Sequence, residues 1–129
     1  MQREGLGIGR ICSIEHIELD VLAQRCNDAF KTRSRVWGVG NTSISQIATC
    51  SGSAGGSDIS AACINNGVDC LICGEIGYHD ALSLAEAGVN IVELGHDASE
   101  LPFSQTLAAC AVDAGVAKDN VFILDQTNN

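Results

Sequence analysis

A histidine and a carboxylate four residues apart, His96 and Glu100 in Gly95-His96-Asp97-Ala98-Ser99-Glu100, follow directly on the apolar run Val89-Asn90-Ile91-Val92-Glu93-Leu94. Imidazole nitrogen and carboxylate oxygen suit borderline and hard divalent ions, so the pair reads as two metal ligands at the mouth of a strand. A protein metal centre usually draws on three or four side chains, so His96 and Glu100 amount to part of one. The segment has an echo earlier in the chain, where Gly67-Val68-Asp69-Cys70-Leu71-Ile72-Cys73-Gly74-Glu75 aligns with Gly88-Val89-Asn90-Ile91-Val92-Glu93-Leu94-Gly95-His96. Two consecutive units therefore place polar groups at equivalent strand ends.

Beyond Cys73 the chain continues as Gly74-Glu75-Ile76-Gly77-Tyr78-His79-Asp80. Its two glycines permit a sharp turn, and Glu75 and His79 are candidates for metal ligands, for groups that orient ligands, or for catalytic acid and base. The competing reading leaves Glu75 and Asp80 solvated and packs His79 at a helix start. The segment from Ser51 to Ser57 offers backbone N–H groups and a following helix for an anion, but it lacks the lysine of a phosphate-binding loop and also reads as a tight turn. His16 carries no related pattern and reads as a surface histidine. Cys70 and Cys73 have the spacing of half a zinc or redox site, yet residues three apart on a strand point to opposite faces, which favours a structural role.

The elements that position these groups follow from periodicity. Leu19, Leu22, Ala23, Cys26, Ala29 and Phe30 are spaced for an amphipathic helix over 19–30. Before it, Gly5-Leu6-Gly7-Ile8-Gly9-Arg10 reads as a turn or loop, since it follows no strand and starts no helix. From residue 34 short apolar strands (near 35–39, 46–50, 68–73, 89–94 and 120–124) alternate with Ala-rich helices (near 57–66, 78–87 and 102–114). That alternation predicts an α/β fold, a three-layer-like single domain over 1–129 with an opening section 1–33 and a core over 34–125. Ser57-Asp58 and Pro102 suit helix starts; Gly67, Gly88 and Gly115 suit left-handed helix ends. Open α/β sheets bind ligands outside the carboxyl ends of their strands, which is where the candidate loops fall. The polar tail Asp125-Gln126-Thr127-Asn128-Asn129 is expected to fray.

Composition narrows the partners. Sixteen acids against seven Lys and Arg give a net charge of −9, which argues against a nucleic-acid or anionic-membrane surface. No apolar run approaches the roughly 18 residues of a membrane span, and no signal segment follows Met1, so a soluble cytoplasmic protein is expected. Seven cysteines, an odd number, lie mostly in apolar segments. Cys50, Cys63, Cys70, Cys73 and Cys110 read as small buried hydrophobes in a reducing compartment.

Together, Gly7-Ile8-Gly9-Arg10, Ile47-Ala48-Thr49-Cys50-Ser51-Gly52-Ser53-Ala54-Gly55, Asp69-Cys70-Leu71-Ile72-Cys73-Gly74-Glu75 with His79, and Gly95-His96 with Glu100 resemble the C-terminal half of one family. It is the GTP cyclohydrolase 1 type 2 family, also called Nif-three-like dinuclear metal-centre hexameric proteins. The resemblance implies one of two facing α/β halves in a toroidal hexamer, with two divalent ions of the zinc, iron or manganese class between the halves. It implies that His96 ligates one ion, that Glu100 bridges or ligates the pair, and that Glu75 and His79 line the same pocket. The implied chemistry is metal-assisted hydrolysis, by polarisation of substrate and activation of water. The family's further ligands, a His-His pair and an acidic residue of the other half, have no counterpart in this sequence, and Cys73 stands where a small hydroxyl residue is common. A hydrolase completed by a separate N-terminal half, or by the rest of a longer chain, is the first expectation. The alternative is a non-catalytic homo-oligomeric scaffold or binding module; an anion-binding protein using Ser51–Ser57 is a third.

Overall fold

The computed structural model describes residues 7–125. Gly5 and Leu6 of the opening and residues 126–129 of the polar tail lie outside the described residues. In chain order the elements are β1 (Arg10–Glu18), α1 (Leu19–Phe30), β2 (Arg35–Trp37), β3 (Ser43–Ser53), α2 (Ser57–Asn65), β4 (Cys70–Glu75), α3 (Tyr78–Glu86), β5 (Asn90–Glu93), α4 (His96–Asp113) and a single 3-10 turn at Lys118–Asn120.

The strands form one mixed sheet in the order β1-β3-β4-β5-β2. The three central strands are parallel, because α2 and α3 carry the chain back across the sheet between them. β1 and β2 close the two edges antiparallel. This is an α/β fold, and the carboxyl ends of β3, β4 and β5 all open at one edge.

Alternation along the strands sorts the core into two layers. Leu71 and Cys73 of β4 face α2 and α3 and pack with Ala48, Cys50, Cys63, Ala81, Leu84 and Ile91. Cys70 and Ile72 face the other way, onto Leu19, Leu22, Ala23 and Cys26 of α1. Cys70 and Cys73 are thus on opposite faces, as their spacing requires. Burial pushes both thiols up to about 12, so each remains a protonated, free hydrophobe. Cys110 departs from expectation: it is exposed, because α4 is covered by the sheet only near its start.

Four further readings are corrected. The opening contains the nine-residue strand β1; Ile11, Ile14 and Ile17 are spaced by three, which hides the strand, and a register shift between Ser13 and Ile17 turns both Ile14 and Ile17 onto the α1 layer. Helix α4 begins at His96, so Pro102 sits inside the helix rather than opening it, at the cost of one N–H donor. Residues 121–125 form no strand, and Phe122, Ile123 and Leu124 are exposed. Helix α2 is preceded by Gly56, and neither Ser57 nor Asp58 caps it with a side chain. Gly67, Gly88 and Gly115 do follow their helices with positive φ.

Leu71 is 1% exposed at the centre of the sheet. Leu71→Ala should lower unfolding free energy by about 2–5 kcal/mol. Val21→Ala, on the exposed side of α1, should change it by no more than about 0.5 kcal/mol. Urea titration of both variants checks the layer assignment.

Candidate functional site

The carboxyl ends of β3 and β4 meet the first turns of α4. His96 and Glu100 are four residues apart on this helix, so their side chains lie on one face. They are helical residues, not members of a loop. His96 Nδ1 lies 2.9 Å from Glu75 Oε1 at the end of β4, and donates its proton to that carboxylate. The other ring nitrogen, Nε2, lies 3.4 Å from Glu100 Oε1. The two strand-end groups that the sequence repeat aligns, Glu75 and His96, are therefore in direct contact.

The imidazole is held between two carboxylates at a half-exposed position. The Glu75 hydrogen bond raises the His96 pKa above its ordinary value; partial desolvation opposes this, and the Glu100 and Glu75 charges reinforce it. A helix start carries a partial positive charge of about +0.5, which disfavours a cation. Glu75 and Glu100 outweigh it.

Two glycines make room for this arrangement. Gly52 lies at a bulge in β3 with a φ of +67°, a left-handed conformation that favours glycine. A Cβ there would stand 2.5 Å from Glu100 Oε1 and 3.3 Å from His96 Nε2. At Gly74 a Cβ would strike Ser99 Oγ and the Gly52 carbonyl oxygen. Gly74 thus serves close approach within β4 rather than a sharp turn after it.

The other candidates are placed differently. His79 is exposed at the start of α3, its ring edge-on to Tyr78 at 5.4 Å between centroids. It makes no hydrogen bond or ion pair with Glu75, His96 or Glu100 among the described residues. Three amides of the Ser51–Ser57 segment are engaged within the protein: Gly52 N–H donates to Ser99 Oγ, Ala54 N–H to the Glu75 carbonyl and Gly56 N–H to Asp80 Oδ2. Those three are turned to protein acceptors rather than to an anion, and Asp80 is engaged rather than solvated. His16 is exposed on β1, 3.1 Å from Ser43 Oγ. Ser99, Gly52 and the close-approach role of Gly74 escape sequence reasoning, because their roles depend on contacts between residues far apart along the chain, 47 residues for Gly52 and Ser99.

Chemically, His96 Nε2 and Glu100 Oε1 form a convergent nitrogen and oxygen pair with the imidazole oriented by Glu75, the arrangement by which carboxylates commonly fix metal-binding histidines. Among the described residues, no group of three or more His, Cys, Asp or Glu side chains is gathered for an ion. No helix among them is long and apolar enough to cross a membrane.

Comparison with known proteins agrees with the architecture. The chain is 33% identical over 98 residues to a GTP cyclohydrolase 1 type 2 homolog from Clostridium acetobutylicum, covering 74% of this chain and 36% of that protein. It is 32% identical over 109 residues to NIF3-like protein 1 from Mus musculus, covering 78% of this chain and 27% of that one. The chain thus spans about a third of the length of these relatives. Among solved structures, a Staphylococcus aureus hypothetical protein superposes with a TM-score of 0.70 at 25% identity, over 83% of this chain and 35% of that one. The Bacillus cereus protein related to NIF3 superposes with a TM-score of 0.69 at 21% identity, over 85% of this chain and 31% of the other. The family model for Duf34/NIF3 (NGG1p interacting factor 3) matches residues 1–129. With its whole length matched by that model, and its parallel strand ends converging on His96 and Glu100, the chain belongs to the Duf34/NIF3 family.

Proposed function

We propose that His96 and Glu100 are two ligands of a divalent-metal centre, one side of a dinuclear hydrolytic site that residues from a second half or another subunit complete. The observation that carries this reading is the Glu75–His96 hydrogen bond: it keeps the proton on Nδ1 and turns Nε2 toward Glu100. The donor set, one imidazole nitrogen and one carboxylate oxygen, fits an ion of the zinc, iron or manganese class, and two donors leave coordination positions for other ligands. Such ions supply Lewis acidity and lower the pKa of water. This chain's part is to present Nε2 as a lone-pair donor, to supply negative charge from Glu100, and to hold the ring through Glu75. His79, exposed at the start of α3, is the further candidate for proton transfer to a substrate. The name of the Clostridium acetobutylicum relative supports hydrolysis of a purine nucleotide as the class of reaction to test first.

The scaffold reading is favoured by a separate observation. Beyond its first turns α4 leaves Phe103 60% and Leu107 55% exposed, and the following segment leaves Phe122 and Leu124 about four-fifths exposed. Apolar surface of this kind is usually covered by a partner. The two readings are compatible, since association that covers this surface is one way to bring in the missing ligands. The five buried free thiols suit a reducing, cytoplasmic setting.

Three outcomes test these proposals. Elemental analysis of untagged protein should find metal that a His96→Ala/Glu100→Ala variant lacks; equal metal in a folded variant, or none in the wild type after loading, would remove the site. In metal-free protein, NMR titration should show His96 with a raised pKa that falls toward the ordinary value in Glu75→Gln. A raised folded-state pKa means that the ion pairs stabilise fully below the unfolded value and fade as pH rises through the folded one. Metal uptake has the opposite sense, weakening as pH drops through the same pKa because the proton competes for Nε2. Finally, sedimentation should show self-association that Phe122→Glu/Leu124→Glu reduces; a wild-type monomer at all concentrations would count against the apolar surface as an interface between copies.

A further inference from the structure

We propose that Ser99 is a positioning residue of the His96–Glu100 pair, acting by fastening the first turns of α4 to the bulged end of β3; this rests on the reading of that pair as metal ligands. Ser99 Oγ accepts the Gly52 N–H at 2.8 Å and donates to the His96 carbonyl at 2.8 Å. The second bond is local, and a helical serine often makes one like it to the carbonyl three residues back. The first is not local. It joins α4 to a strand 47 residues away, at a glycine of β3 whose added Cβ would collide with Glu100 and crowd His96.

Spacing on the helix gives the clamp its leverage. His96, Ser99 and Glu100 are related by three and four residues, so all three project from one face. The hydroxyl is seated over Gly52 and Gly74. The absence of a side chain at Gly74 keeps open the space that Ser99 Oγ occupies. The tether therefore sets how far the α4 face stands from the strand ends, and with it the separation of His96 Nδ1 from Glu75, which orients the ring whose Nε2 faces Glu100. Without the hydroxyl, the part-buried Gly52 N–H loses its acceptor and the turn carrying both ligands loses its only side-chain hydrogen bond to β3 among the described residues.

The test compares wild type with Ser99→Ala and Ser99→Thr, the latter retaining the hydroxyl. Three readouts are made: Mn2+ binding by titration, hydrogen exchange at the Gly52 amide, and the nitrogen resonances of the His96 ring without metal. The clamp predicts about tenfold weaker Mn2+ binding in S99A, in line with the 10- to 100-fold losses typical when groups orienting metal ligands are removed. It also predicts faster Gly52 exchange and displaced His96 ring signals, with all three restored in S99T. Wild-type Mn2+ affinity together with unchanged ring signals in S99A would overturn it, even if the amide exchanges faster. Absence of Mn2+ binding in the wild type would instead remove the metal reading; the ring signals then decide alone, displacement in S99A with rescue in S99T supporting the clamp and no displacement overturning it. Should S99A fail to fold, Ser99→Cys, of similar size and a poor acceptor, is read the same way.

Discussion

Everything at the candidate site depends on how closely one helix approaches two strand ends. The first turns of α4 lie against the backbones of β3 and β4, and that proximity exists because Gly52 and Gly74 carry no side chains. With any Cβ at these positions, Glu100 and Ser99 would be driven off the sheet edge. The bulge at Gly52 directs a backbone N–H at Ser99, and the strand beside it ends at Glu75, within reach of His96. Local backbone geometry is thus converted into the alignment of an imidazole with two carboxylates.

The sheet makes this alignment affordable in physical terms. Three parallel strands packed on both faces form a stiff platform whose carboxyl ends lie side by side. Exposed ion pairs such as those of His96 contribute little to stability in general, so they need not hold the fold together. Their role is orientation, with rigidity supplied by Leu71, Ile91, Leu84 and the α1 layer beneath. Glu75, named with His79 for catalysis on sequence grounds, is placed by its hydrogen bond to orient His96, while His79 stands apart beside Tyr78.

The sequence made the central strands and their intervening helices legible, because β4 and β5 are apolar, lie at a fixed offset, and end in glycines that punctuate the pattern. His96 and Glu100 were legible for a related reason: their types and four-residue spacing are local. What escaped detection was non-local or masked. The three-residue spacing of the isoleucines in β1 looks unlike a strand until a bulge corrects its phase. Pro102 drew the expected start of α4 six residues too late, because proline favours a first turn but also survives deeper in a helix whose start is held by other contacts. The run Val121–Leu124 is strand-like in composition, yet no strand edge pairs with it. Ser99 carries no signal of its own, since its partner Gly52 becomes a neighbour only in the folded sheet.

The most direct test of the account is the position of a bound ion. Crystals grown with Zn2+ and measured at its absorption edge should show an anomalous peak about 2.0–2.2 Å from His96 Nε2 and from a Glu100 oxygen, with Glu75 still on Nδ1 and the remaining positions filled by groups from outside this chain. A peak ligated elsewhere, with His96 Nε2 and Glu100 left free, would contradict the claim that this helix face is a metal-binding half-site.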